Sequence, residues 1–324
     1  MVTMLFAPFV SLAQNDEELD EKALVRFNDL TWYDKGFDFY IGAGGFQGNS
    51  FNANYYNGSN LNENNLNYLF DNQYWREELM QDITECYPNI SINDQILPFQ
   101  DPAMNSSYNW ETNYKLRTMI ALGARYKIRN GWALSLSYSF SRLVANSRCL
   151  LDCPTILGNQ DRIPEMLMVG REDRSMIDLS LSYLISQASD VLKPFIELGV
   201  QFNYAKVKDF DAILLDKDGH AFSEEHSLLD RYNSSNGYVP GMSPTSTVIF
   251  GGPGFGFSGA AGLKIVVSRN VSLDPTFYCY MGRLGIYQMM NSPVAGFDDG
   301  NRFTFNWGIQ LRVVMNDFFV SQRH

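Results

Sequence analysis

The chain has 324 residues, with 25 lysines and arginines against 36 aspartates and glutamates, a formal charge of −11, and 45% apolar residues. So acidic a balance argues against nucleic acid as a partner, and no window approaches the ~20 consecutive apolar residues of a membrane helix. A chain that enters a membrane without such a run must cross as a closed barrel, because lipid leaves no backbone group unpaired except in a helix or a closed sheet.

Residues 1–13, MVTMLFAPFVSLA, read as the apolar core of a secretory signal peptide lacking a basic n-region, with Gln14 as the mature start. Residues 14–36 are acidic and then mixed, a short periplasmic lead-in. Phe37 to Phe46 alternates Phe37, Phe39, Ile41 and Ala43 with Asp38, Tyr40, Gly42 and Gly44, the period of two that marks a strand. A long external loop follows, about 47–112, rich in Asn, Tyr and acids against the single base Arg76, with a short helix over Asn72 to Glu85.

Strands two and three form a hairpin. Tyr114, Leu116, Thr118, Ile120 and Leu122 alternate with Lys115, Arg117, Met119 and Ala121; after the turn Arg129-Asn130-Gly131, Trp132, Leu134, Leu136 and Tyr138 oppose a row of serines. One apolar and one polar face with aromatics near both ends fits lipid outside and a polar interior. A second loop at about 146–173 leads to strand four, Met176 to Ile185, and strand five, Phe195 to Ala205. The third loop, about 206–254, precedes strand six, Phe255 to Val267, and the turn Ser268-Arg269-Asn270. Strand seven begins at Val271, a fourth loop spans about 288–301, strand eight is Phe303 to Asn316, and 317–324 form a tail.

The expected fold is therefore all-β: a transmembrane antiparallel up-and-down barrel over 37–316, with eight strands and long extracellular loops. Ten strands is the alternative, should the loops hold two more. The short turns follow strands two, four and six, as periplasmic turns should.

An eight-stranded lumen is just wide enough for side chains to fill it. The charges predicted inside are Asp38, Lys115, Arg117, Arg125, Lys127, Asp178, Glu197, Lys264, Asp274 and Arg312, of both signs, as confined charges must be to pair. A hydrolase at the rim would need a base fixed near a strand end. His220, His226 and His324 all lie off the predicted strands, so no catalytic residue is assigned and the protein is expected not to be an enzyme. Asp216, Asp218 and Glu225 match a calcium loop only loosely, since Leu214 falls at the first ligand position. No metal or other cofactor is expected. Among Cys86, Cys149 and Cys153, placed in external loops, one disulfide is expected with its pairing open; Cys279 lies on an apolar strand face.

The signal ending Leu-Ala-Gln, the strand FDFYIGAGGF, the RNG and SRN turns and the closing strand FTFNWGIQLRV resemble the small outer-membrane β-barrel proteins of Bacteroidota, the group with OmpA-type barrels and PorT-like proteins. The resemblance implies residence in the bacterial outer membrane among its lipid. It also implies insertion by barrel-assembly machinery that reads Asn306, Gly308, Leu311 and Val313. Loops of this length are usually functional. The function expected is a non-enzymatic barrel whose loop-built external cap binds another outer-membrane or cell-surface protein. That places it as an accessory subunit of a complex for secretion, barrel assembly or nutrient import. A narrow pore for small solutes is the alternative, and a rim lipid hydrolase a more distant one.

Overall fold

The computed structural model describes residues 36–58, 66, 73–86, 112–129, 131–150, 165–185, 192–216, 218–222, 225–229, 251–268, 270–284 and 303–316. The signal peptide, the lead-in up to residue 35, Cys153, the fourth loop, His324 and the tail lie outside the described residues.

Eight long strands close into a ring. They are β1 (Gly36–Gln47), β3 (Arg117–Arg129), β4 (Trp132–Leu150), β5 (Glu165–Leu184), β6 (Leu192–Leu215), β8 (Gly251–Ser268), β9 (Val271–Gly282) and β10 (Thr304–Met315). Each pairs antiparallel with its neighbours in that order, and β10 returns to β1 through pairs such as Phe39 with Met315. Two further strands of two residues each, β2 (Asn113–Tyr114) and β7 (His226–Ser227), lie against β4 and β6 without entering the ring. The barrel is eight-stranded, not ten. Short connections join β3 to β4, β5 to β6 and β8 to β9 at one end, where β1 begins and β10 finishes. At the first of them Gly131 takes φ +83°, a left-handed conformation costly for other residues, and its carbonyl accepts the Leu184 N–H at 2.9 Å.

The outward faces are apolar and exposed: Ile120, Leu122 and Tyr126 on β3, Leu134, Leu136 and Tyr138 on β4, and Phe305, Ile309 and Leu311 on β10. Aromatic pairs ring the two edges of this band. Phe37 meets Tyr126 and Trp132 meets Tyr183, both at 4.8 Å, by the short turns; Phe255 meets Phe303 at 6.4 Å at the other end. Outside faces turn charged where Arg142 on β4 meets Asp173 on β5 at 2.7 Å. From Trp132 to Arg142, ten residue steps at about 3.4 Å, tilted about 40°, rise ~26 Å, close to the ~25 Å apolar band of a membrane barrel. The band is thus the membrane-spanning wall.

Above it three neighbouring strands continue. β4, β5 and β6 run to 19, 20 and 24 residues, against 12 for β1, β9 and β10. The expected loops at 146–173 and 206–254 are accordingly shorter: β4 continues to Leu150, β5 already starts at Glu165, and β6 reaches Leu215. The inward face of this extension is apolar, with Leu143, Met166, Met168, Phe210 and Leu214 buried. Two helical pieces cover it. One is α1 (Ser50–Ala53) with its following 3-10 turn (Asn54–Tyr56); the other is α2 (Gln73–Cys86), which offers Leu79 and Ile83, four apart on one helix face. The expected helix over Asn72 to Glu85 coincides with α2 to within a residue at each end.

Candidate functional site: a filled lumen and its covered mouth

Alternate side chains of every long strand point into the barrel, and near the short turns they pair by charge. Asp38 lies 3.3 Å from Lys127 and 3.9 Å from Lys264, whose Nζ also donates to Asn316 Oδ1 at 2.7 Å. One level up, both carboxylate oxygens of Glu197 accept from Arg312 at 2.9 Å. Arg125 bridges Glu197 at 3.1 Å and Asp274 at 3.4 Å. The guanidinium of Arg312 also lies 5.0 Å from the Tyr40 ring centre, and that of Arg125 5.4 Å from Phe195. All these charged groups are nearly inaccessible to solvent. Taking them from water costs several kcal/mol each, and only paired geometry of this kind recovers it.

Midway, Asp178 accepts from Gln201 Nε2 at 2.7 Å and from the Tyr278 hydroxyl at 3.4 Å. Ser137, Ser139, Ser180, Ser258 and Gln310 join it around a cavity of about 20 Å³. That holds about one water. Two serine hydroxyls of the wall donate to carbonyls, Ser141 to Thr118 at 3.1 Å and Ser182 to Ala133 at 3.2 Å, and Ser272 donates to Asp274 Oδ1 at 3.1 Å.

At the outer mouth Glu172 gathers three donors: Tyr56 at 2.8 Å, Tyr114 at 3.0 Å and Arg174 Nε at 2.5 Å. Arg174 also reaches Asn306 Oδ1 at 3.1 Å, which accepts the Asn49 N–H at 3.0 Å, and Asn52 Nδ2 donates to Thr304 at 2.9 Å. The segment leaving β1 is thereby tied to both β5 and β10 and lies across the mouth. Tyr55 and Tyr56 are buried against Phe210, with ring centres at 6.3 and 5.4 Å. Gly170 leaves the space Tyr56 occupies, since a Cβ there would come within 2.0 Å of its Cδ1. Burial and the Glu172 carboxylate push the Tyr56 hydroxyl pKa well above its ordinary range.

Eight of the charges predicted for the lumen lie there: Asp38, Arg125, Lys127, Asp178, Glu197, Lys264, Asp274 and Arg312. Lys115 and Arg117 do not; both are exposed. Pairing stops at Tyr114 and resumes at Arg117, and the break shifts the alternation by one, so Tyr114 and Met119 both point inward. Tyr114, Glu172 and Arg174 were missed. The last two sit in the run Glu172-Asp173-Arg174, which looks like a charged loop, yet its alternation of inward, outward and inward continues the phase of Asp178.

Cys149 is not in a loop but near the end of β4, a free thiol that donates to the Met166 carbonyl at 3.7 Å. Burial pushes its pKa to about 12. Cys86 packs at the edge of the same core. At the proposed calcium loop Asp216, Asp218 and His220 cluster in an exposed turn. Asp216 Oδ1 accepts the backbone N–H groups of Asp218 at 2.9 Å and His220 at 2.8 Å, the latter chiefly lowering its pKa. Glu225 instead faces Arg171 at 3.8 Å, so the three expected ligands are not brought together. His226 is buried in β7. In β10, Asn306 is buried, while Leu311 and Val313 face outward.

The fold and its interior define a class: a closed transmembrane β-barrel with a side-chain-filled lumen. No protein-family model and no curated protein matches the chain. Among solved structures it is similar to Neisserial surface protein A, at 8% identity over 86% of this chain and 96% of that one, with a TM-score of 0.35. It is similar also to the outer membrane protein OprG from Pseudomonas aeruginosa, at 9% over 88% and 95% with a TM-score of 0.36. The attachment invasion locus protein Ail of Yersinia pestis aligns at 10% over 87% and 98%, TM-score 0.33, in its complex with the heparin analogue sucrose octasulfate. Likeness at this level carries no function across.

Proposed function

We propose that the protein is a bacterial outer-membrane barrel whose work is binding at the cell surface, with the tall β4–β6 wall and its packed helices as the base of an external cap that docks another protein. The observation that carries this reading is the filling of the lumen by paired side chains among the described residues, from the Asp38 pairs to the tyrosines across the mouth. Water-filled transport needs a path, and among the described residues the cavity beside Asp178, about 20 Å³, holds about one water. Meanwhile a buried apolar core outside the membrane stabilises a platform that a mere connector would not need. A role as accessory subunit of a complex for secretion, barrel assembly or import fits this build. A rim hydrolase finds less support: Ser141 and Ser182 donate to backbone carbonyls, and His220 sits in an exposed turn.

Two measurements test it. Gentle detergent extraction from the native membrane, followed by sizing, is expected to recover the barrel in a stoichiometric complex; elution as a lone barrel would remove the accessory-subunit reading. In a planar bilayer the purified protein is expected to pass no discrete current. Stable conductance steps would restore the pore.

A further inference from the structure

On the outer wall a groove crosses β1, β3 and β4. Ala124 is its floor, and Phe39, Ile41, Leu122, Leu136 and Tyr138 are its sides; its volume is about 630 Å³. Strand pairing puts Ile41, Leu122 and Tyr138 in one row, with Phe39, Ala124 and Leu136 in the row nearer the short turns. Farther along β4 on the same face stands Arg142, four residues beyond Tyr138. At about 3.4 Å per residue it is ~14 Å along the strand, or about 10 Å along the membrane normal, within one leaflet.

Arg142 does not stand alone. Asp173 beside it accepts from its Nε at 2.7 Å and one Nη at 3.3 Å, and Lys208 lies 3.6 Å from the same carboxylate. Lys206 is paired with Asp173 in the strand register and makes no ion pair among the described residues. Arg142, Lys206 and Lys208 thus lie around Asp173, while the next acid, Asp209, is held by Arg171 at 3.3 Å and also acts on Arg142. Arg142 is 61% exposed, with one Nη uncommitted among the described residues. Phe140 and Tyr204, one step toward the membrane core, put this cluster at the height of lipid headgroups.

We propose that this wall binds one phosphorylated, acyl-chained lipid, with its phosphate against Arg142, Lys206 and Lys208 and a chain along the groove over Ala124. The uncommitted Nη of Arg142 and the Lys206 ammonium match a phosphate, and the groove is lined almost wholly by apolar side chains. Both features lie on one face of β4, at a separation a lipid spans. Asp173 holds the Arg142 guanidinium in place, so less side-chain freedom is lost on binding. The inference rests on the barrel lying in a membrane and is independent of what the cap docks.

The test is native mass spectrometry of the full chain released from micelles containing equal phosphatidylglycerol and phosphatidylcholine of matched chains. One phosphatidylglycerol is expected to be retained, about tenfold over phosphatidylcholine. Arg142→Gln/Lys206→Gln/Lys208→Gln is expected to erase the preference, and Ala124→Leu, which fills the groove, to lower retention of phosphatidylglycerol severalfold. Equal retention of the two lipids, or a triple variant that keeps the preference, overturns the proposal. Displacement by soluble glycerol phosphate with no effect of Ala124→Leu would mark a free-phosphate site and overturn it too. Heat-dependent gel mobility checks that each variant is folded; should the triple variant fail, Lys206→Gln alone must lower the preference, and no change in it counts against the site.

Discussion

Glu197 is the residue whose loss the lumen should feel most. It holds Arg312 through two contacts at 2.9 Å and Arg125 at 3.1 Å, while Asp274 completes a quartet of two acids and two bases. Glu197→Gln keeps the shape but leaves the quartet with a net positive charge. Arg125 retains Asp274, whereas Arg312 is left with neutral groups, Gln310 at 2.9 Å and the Tyr40 ring. Breaking a buried pair in this way costs about 3–5 kcal/mol. The loss is read from urea unfolding in lipid vesicles, followed by heat-dependent gel mobility. Arg312→Gln in the same background restores neutrality, so the double variant is expected to lose less than the sum of the singles, by about 1–3 kcal/mol. A cost below ~1 kcal/mol, or strict additivity, would mean that water screens these charges, and would refute both the buried network and the closed lumen.

Three further outcomes follow from the outer half. Gly170→Val should drive Tyr56 from its place, since even a Cβ would lie 2.0 Å from that ring; faster proteolysis within residues 50–86, with the barrel itself intact, is the readout. The Cys149 thiol, with a pKa of about 12, should resist iodoacetamide at pH 8 in the folded protein and react in urea, where an ordinary thiol titrates near ~8.5; equal rates in both states would contradict its burial. Asp173 has its pKa lowered first by the Arg142 hydrogen bond. Its contribution is therefore full above the unfolded carboxylate value of ~3.9 and lost as pH falls through the lowered one. With Arg142 largely exposed and screened by water it should be small, measured by a double-mutant cycle at pH 7 and at pH 2.

The membrane-spanning wall was legible in the sequence because one physical requirement governs it: lipid outside and side chains inside force strict alternation. Trp132, Leu134, Leu136 and Tyr138 could scarcely be anything but one face of a strand. Where the outside medium changes to water, that requirement lapses. Glu172, Asp173 and Arg174 still alternate, but outward charge is now permitted, and three charged residues in a row look like a loop. The break at Lys115 and Leu116 was illegible for another reason. Nothing in the local pattern marks the shift that turns Tyr114 inward; only its hydroxyl contact with Glu172, 58 positions away in the chain, does so. Inward charges within the membrane were found because any charge on the polar face there has only the lumen to occupy.

The same change of medium explains why the taller strands need a core of their own. Within the membrane, the wall is stabilised by lipid on one side and by ion pairs on the other, and a ring of eight strands has no edge to protect. Above it, β4, β5 and β6 leave the ring as a three-stranded sheet with water on the outer face, through Arg142, Asp173 and Arg171. Such a sheet must cover its inner face, and Met166, Met168, Phe210 and Leu214 require an apolar partner. Leu79 and Ile83 of α2, with Tyr55 and Tyr56, provide it. Removing that cover by Leu79→Asp/Ile83→Asp should thus release the outer sheet without opening the barrel below, whose Glu197 quartet lies apart from it. Hydrogen exchange separates the two: amides of 143–150 and 207–215 should lose protection while those of 120–127 keep it, and joint loss would show that cap and barrel fold as one unit.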